Sequence, residues 1–420
     1  MPNMDKWREK LSRLLGKRNT RDKETQEIRG ALTDAGYYEE VSLRYASAQL
    51  IGMMLLAVFV AVSLLTNASL LSSDNLVFFA KDMTTALSAV EREARDTVVY
   101  TADADNRYTL FRDGLAVLGS DKLTVFTATG REAYTARHSY ASPHIVSSGR
   151  YLITYDLGGR SYDLYNSFAC VKSGQAEAAI RGAAAANNGY YAIITDGTEY
   201  ASRVTLYNDR FQAINRYNLK EYTVCADLDE QGERLLLASV SAQNGRMTTH
   251  LLLATPGQGE ADAAWTVSDA YPVAAHITDD GLVMLLSTDF VCFFDAEGNE
   301  LSRHSIDTDR VVAHRTGSFG CVIVLRAASY DANAEVLAFN AKGQLCHHLT
   351  FTDSVRDAVL FGTTLSVLTD GRLACYAEGS DEAFDTAELT GQYTRIEAYA
   401  EGENYVCGEA KAITVRMPIQ

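Results

Sequence analysis

The chain has 420 residues, of which 47% are hydrophobic and 22% charged, the profile of a globular protein large enough for one extended β fold or more than one ordinary domain. Its formal charge of −16 is unevenly spread: through Arg44 there are ten Lys/Arg and eight Asp/Glu, so the remainder carries −18. An acidic bulk of that size lacks the clustered cations that displace counterions from a phosphate backbone, which argues against nucleic acid as a partner.

Residues 1–44 read as a basic tail. Within it "MDKWREKLSRLL" (4–15) sets Trp7, Leu11, Leu14 and Leu15 on one helical stripe and Lys6, Arg8, Lys10 and Arg13 elsewhere. That pattern suits a helix lying on an anionic leaflet, and equally an ordinary solvated helix. No charged residue occurs from Tyr45 to Ser73, and "LIGMMLLAVFVAVSLL" (50–65) is almost wholly apolar. About 22 residues at ~1.5 Å rise give roughly 33 Å, enough for a hydrocarbon core of ~30 Å, so 45–67 is predicted to be a transmembrane helix. A buried core helix and a cleaved signal peptide are the rival readings, the second encouraged by "TNAS" (66–69). The long polar segment upstream favours an uncleaved anchor.

Cations set the orientation. Lys17, Arg18, Arg21, Lys23, Arg29 and Arg44 precede the anchor, and only Lys81 follows it before Arg92. The positive-inside bias therefore places 1–44 in the cytoplasm and exports the rest, giving a single-pass protein of the cell membrane with an extracytoplasmic C-terminal part. The seven cysteines pull the other way, because all lie in the exported part, in odd number and without a CxxC pair. Most sit within apolar strand patterns and read as buried small hydrophobes. Past the anchor, "SDNLVFFAKDMTTALSAVERE" (73–93) repeats apolar residues near helical spacing, and 68–96 is read as a helical stalk.

From 97 to 420 the chain parses as paired strands. The pairs are "LAVLGS/KLTVFTATG" (115–130), "YLITYD/SYDLYN" (151–166), "YYAIITD/RVTLYND" (190–209) and "RLLLASV/HLLLAT" (234–255). They continue as "LVMLLST/FVCFFDAEG" (282–298), "CVIVLRA/EVLAFNAKG" (321–343), "LSVLTD/LACYAEG" (365–379) and "NYVCGE/AITVRM" (404–417). Eight copies about 40 residues apart give the period of four-stranded propeller blades. The fold class is therefore all-β, a β-propeller of eight blades, with seven as the alternative, preceded by one transmembrane helix and a short stalk. Hairpin turns at Gly158-Gly159, Asp196-Gly197 and Asp370-Gly371, and outer turns at Gly130, Gly298, Gly343 and Gly379, agree with this parse. The strands are too continuously apolar for half-exposed sheets, as expected of blades buried on both faces by their neighbours. The eighth pair leaves almost no chain for an outermost strand. "TVVYT" (97–101), a spare strand upstream, is predicted to supply it and close the ring.

The stretches "FTATGREAY" (126–134), "FFDAEGNEL" (293–301) and "AFNAKGQLC" (338–346) resemble quinoprotein-like propeller repeats, which carry an aspartate, a glycine turn and a tryptophan four residues after the glycine. Here those positions hold Tyr134, Ser302 and His347, and no adjacent cysteine pair exists, so the resemblance implies the fold and withholds a quinone cofactor. Taken whole, the tail, anchor and degenerate repeat resemble a domain-of-unknown-function family of single-pass, membrane-anchored, quinoprotein-like β-propeller proteins of Gram-positive bacteria. That resemblance implies no activity.

Chemistry is sparse. The eight histidines form no HxH or HExxH pair, and there is neither a GxSxG elbow nor a phosphate-cradling glycine loop. Neither a catalytic set, a metal site nor a cofactor is predicted. Asp156, Asp196 and Asp370 each end the first strand of a pair and, with Asp289, are expected on one face of the ring. There they form either an acidic rim for cations or a basic partner, or plain turn residues bonding their own backbone. Tyr155, Tyr162 and Tyr165 lie within strands and are read as packing residues. The composite expectation is a membrane-anchored, non-enzymatic binding or scaffold module at the cell envelope, with a protein or cell-wall partner. The alternatives are a hydrolase, lyase or oxidoreductase using the central channel, and a transmembrane ligand sensor.

Overall fold

The computed structural model describes residues 45, 48–59 and 97–417, apart from 113, 167–168 and 329–331. Helix α1 covers 48–59 and its side chains are exposed. Twelve residues at ~1.5 Å rise amount to about 18 Å, and among the described residues no helix is long and apolar enough to cross a membrane. Of the segment 45–67 expected to cross a membrane, only 45 and 48–59 are described, and they do not amount to such a helix. Residues 46–47 and 60–67, the tail 1–44 and the stalk 68–96 lie outside the described residues.

The described residues beyond 96 form 32 strands in eight antiparallel four-stranded sheets. Blades 1 to 7 occupy 107–137, 143–175, 180–219, 222–268, 272–305, 311–351 and 355–388. Blade 8 takes three strands from 395–416 and its fourth from 97–99. The innermost strands are β2 (Arg107–Phe111), β6 (Pro143–Ser147), β10 (Ile180–Ala185), β14 (Tyr222–Leu228), β18 (Pro272–Ile277), β22 (Val311–Gly317), β26 (Val355–Phe361) and β30 (Arg395–Ala400). Each touches the next, and β30 touches β2, so the circle closes. The eight-bladed reading holds, and each pair recognised in the sequence proves to be the second and third strands of a blade.

Those middle strands are apolar on both faces because both faces are covered. In blade 5, β20 (Phe290–Phe294) is buried at every position. Phe290, Cys292 and Phe294 pack against blade 4, whereas Val291 and Phe293 pack against blade 6. The same alternation repeats around the ring, giving eight core clusters, one at each junction between blades. The outermost strand β21 (Glu300–Ser305) alternates exposed and partly covered residues, as an edge must. Tyr155, Tyr162 and Tyr165 are buried, in the packing role expected of them.

Closure follows the expected route. Strand β1 (Thr97–Val99) pairs antiparallel with β32 (Lys411–Arg416), matching Thr97 to Ile413 and Val98 to Ala412. Val98 and Tyr100 enter the last cluster with Tyr405, Cys407 and Ala412, and the Tyr100 hydroxyl donates to the Gly408 carbonyl at 2.6 Å.

The outer-turn glycines Gly130, Gly298, Gly343 and Gly379 are left-handed, at φ from 71° to 89°. Of the three inner-hairpin glycine turns read from the sequence, only the one at Gly158 takes this conformation; Gly197 and Gly371 do not. Beyond several outer turns the outermost strand carries a bulge, and the residue past it reaches the outer turn of the next blade. Asn215 donates to Gln258 O at 2.6 Å and accepts from Gly257 N at 2.8 Å, and Ser302 donates to Gly343 O at 3.1 Å. Trp265 performs the same docking on blade 5 with its ring, lying where a Cβ on Gly298 would come within 2.7 Å of the indole.

Candidate functional site

The ring has two rims. One carries the turns between second and third strands together with the connections from blade to blade; the opposite rim carries the remaining turns. Asp156, Asp196, Asp289 and Asp370 all stand on the first rim, in blades 2, 3, 5 and 7. Asp196 receives two hydrogen bonds from Arg181, each 2.7 Å, and this guanidinium holds its carboxyl below the usual range. Arg356 pairs likewise with Asp370. Asp156 accepts from Ser142 N at 2.8 Å and Asp289 from the Thr308 hydroxyl at 2.8 Å. Arg181 and Arg356 occupy equivalent bulges at the start of β10 and β26, where the extra residue leaves the ladder and turns its side chain out. Two of the four carboxylates are therefore matched within their own blades.

The equivalent bulges in blades 4, 5 and 6 hold Val224, Val273 and Val312. This half of the rim is apolar. Tyr200, Tyr222, Met247 and Tyr271 join Val312 there as exposed side chains, with Tyr222 66% and Val312 57% exposed. They come from the hairpin turn of blade 3, the start of β14, the tip of the blade 4 hairpin and the connection into β18. The blade 4 hairpin, β15 (Leu235–Gln243) and β16 (Arg246–Ala254), outreaches its neighbours. Its pairing runs to Gln243–Arg246, whereas β14 stops at Val240 and β17 (Ala263–Ser268) at Thr248. Asn244-Gly245 at its tip takes φ of 53° and 78°, the geometry of a tight hairpin turn. Other exposed apolar side chains, Leu301, Leu345 and Phe384, sit on the outermost strands of blades 5, 6 and 7.

A charged network lies on the inner strands. Arg315 of β22 donates to both oxygens of Asp357 (3.2 and 2.9 Å), to Glu397 (3.0 Å) and to Ile396 O (2.5 Å), joining blades 6, 7 and 8. Arg395 completes a set of two cations and two carboxylates, 3.4 Å from Glu397. Burial works against the Arg315 charge, but Glu397 and Asp357 outweigh it and raise its pKa. Asp357 also accepts from Ile396 N at 2.9 Å. With charge balanced and hydrogen bonds filled, the network braces blades and leaves no free acid or base. Across the ring, Asp227 of blade 4 accepts from Ile277 N at 2.8 Å and lies 3.4 Å from His276 of blade 5.

Nucleophilic chemistry finds little support. Ser241 Oγ lies 2.8 Å from His250 Nε2, but among the described residues no carboxylate orients that imidazole. Burial pushes the Cys225, Cys292 and Cys321 thiols up to about 12, far from a thiolate at neutral pH. Among the described residues no three His, Cys, Asp or Glu side chains gather as metal ligands. One depression of about 580 Å³ on the opposite rim is lined by Asn188, Tyr190, Glu233, Arg234 and Pro256. A smaller one of about 250 Å³ lies beside the closure, where Asp103 accepts from Ser120 N at 3.0 Å.

The inner network and the apolar sector are both absent from the sequence reading. A signal for the first existed, since three consecutive blades carry a charge on the strand preceding the apolar pair.

The model of the family of unknown function DUF5711 matches residues 89–407. The chain belongs to this family. No curated protein matches the DUF5711 chain significantly. Among solved structures, it is similar to BamB from Moraxella catarrhalis, with 13% identity and a TM-score of 0.51 over 78% of this chain and 98% of that one. It is also similar to Chaetomium thermophilum Sqt1 bound to the N-terminus of the ribosomal protein L10, with 12% identity and a TM-score of 0.54 over 78% of this chain and all of that one. At such identities the likeness of the DUF5711 propeller to both extends to the fold alone.

Proposed function

We propose that this DUF5711 protein is a membrane-anchored, extracytoplasmic propeller that works as a non-enzymatic docking module for an envelope protein or cell-wall component. The observation that carries the reading is the one-sided gathering of Tyr200, Tyr222, Met247, Tyr271 and Val312 on a single rim, around a projecting hairpin. Exposed aromatic side chains clustered on a rigid scaffold are what protein interfaces use as anchors. Support for the anchor comes from the uncharged segment 45–73 and from the cations that precede it. The compatible fold of a propeller that holds a peptide adds plausibility for the partner class and nothing on its identity.

The test is photo-crosslinking in intact cells, with a benzophenone amino acid at position 222 on the apolar rim and at position 301 on an outermost strand. Adducts specific to 222 are expected, and protease added outside the cells is expected to remove the propeller. Adducts from 301 alone, or a propeller that resists external protease until the cells are lysed, overturn the reading.

A further inference from the structure

The apolar rim is also acidic, and the two properties are interleaved. Glu199 precedes Tyr200, Glu221 precedes Tyr222, and Asp269 stands two residues before Tyr271. Asp269 is answered by Arg246 at 3.7 Å. Glu199 and Glu221, together with Asp307 and Asp309 beside Val312, make no ion pair among the described residues. Asp289 adds a fifth carboxylate without an ion pair, and against these five the described turns and connections of the sector set Lys220 and Arg326, a surplus of three negative charges. A tyrosine face flanked by an unpaired carboxylate is a receptor for a guanidinium or ammonium group, which gains from the ring quadrupole and from a charge-assisted hydrogen bond together. A neutral apolar ligand would leave the carboxylates desolvated and unpaired.

The backbone adds a second constraint. On the flank of β15 that faces the axis, pairing with β14 ends at Tyr222–Val240; Ser241 turns its backbone groups to β16, and Ala242 presents its N–H and C=O on the open side with no strand partner. An open strand edge directly above an aromatic anchor accepts an extended chain by main-chain pairing.

We propose that the rim over blades 3 to 6 binds an extended, arginine- or lysine-bearing polypeptide segment. This inference rests on the docking reading above and narrows it to one ligand chemistry. Cationic side chains lie on Tyr222 and Tyr271 and pair with Glu221 and Glu199, while the ligand backbone runs beside the blade 4 hairpin.

The experiment uses the full chain in nanodiscs and three fluorescein-labelled peptides of equal length, built on Gly-Arg, Gly-Ser and Gly-Glu repeats, with binding read by anisotropy. The Gly-Arg peptide is expected to bind at least tenfold more tightly than the others and to weaken as salt rises. Tyr222→Ser with Tyr271→Ser is expected to weaken it at least tenfold. Glu199→Gln with Glu221→Gln is expected to flatten its salt dependence, and Leu301→Ser to change nothing. An unaltered urea unfolding midpoint establishes that each variant is folded. Gly-Arg binding that is absent, equalled by Gly-Ser, or indifferent to both double variants overturns the proposal. If crosslinks form at 222 while the peptide fails, the basic ligand falls and the docking reading stands; if both fail, both fall.

Discussion

Arg315 in blade 6 donates to the Ile396 carbonyl of blade 8, reaching past the innermost strand of blade 7 on the way. It meets Asp357, 3% exposed, and Glu397, 12% exposed, and so ties three blades through one side chain. Replacing it by a neutral chain of similar length leaves two covered carboxylates with only Arg395 to answer them. Arg315→Met should cost about 3 kcal/mol in urea unfolding, near the lower end for a broken buried pair. A loss below about 1 kcal/mol would show that Arg395 alone suffices.

Trp265 and Gly298 form a coupled pair across blades 4 and 5. Trp265 is only partly buried on its outermost strand, so Trp265→Ala should cost about 2–3 kcal/mol, below the range for fully buried aromatics. Gly298→Ala fails twice, because φ is +89° and the new methyl meets the indole. In a Trp265→Ala background the clash vanishes and about 1 kcal/mol of backbone strain remains. A double-mutant cycle measures the difference, and strict additivity would refute the contact.

Ring closure is tested at two neighbouring positions. Val98 is buried in the last core cluster, whereas Val99 is 71% exposed on the same strand. Val98→Asp should destabilise by about 3 kcal/mol or more and speed tryptic cleavage of the native protein. Val99→Asp should stay within about 0.5 kcal/mol of the parent. Equal effects would mean that β1 does not seal the blade.

Stability should respond to pH through His276. Burial acts to lower its pKa, yet the Asp227 carboxylate overcomes this by attraction and hydrogen bonding, and the net direction is upward. The folded state then holds the proton more firmly than the unfolded chain. The resulting stabilisation is complete below the unfolded value of about 6.5 and disappears as pH rises through the higher folded value. Substituting His276→Asn should therefore lower the urea midpoint more at pH 5.5 than at pH 8.5, and the reverse order would contradict the pairing.

All seven cysteines are free, and Cys170 is the exposed one. Burial carries the Cys346 thiol to about 11 and Cys225, Cys292 and Cys321 to about 12. Iodoacetamide at pH 8 should add one label to the native protein, at Cys170, and seven after denaturation. Native labelling of Cys292 or Cys321 would show that the blades part.

The blade count was legible because the second and third strands are covered on both faces, which writes an unbroken apolar run into every repeat. Inner strands escaped because they carry Arg315, Asp357 and Glu397, whose polarity resembles that of a loop. The Asp196 and Asp370 positions were readable from turn spacing, but Arg181 and Arg356 were not, since a bulge breaks the alternation that would betray their direction. Trp265 was missed because the outer turn of blade 4 is longer than the others, which displaces the tryptophan from its usual distance to a glycine. The apolar sector is assembled from blades 3 to 6, and no local pattern announces a surface built from such distant parts.

The strand that fastens the circle is also the first one reached along the chain from the segment predicted to sit in lipid. Any pull on that tether therefore loads the clasp, a ladder of three residues on β32, before it loads any other blade. Force carried along the chain from that side would peel this strand first, laying bare the edge of β32 and the seam between blades 8 and 1.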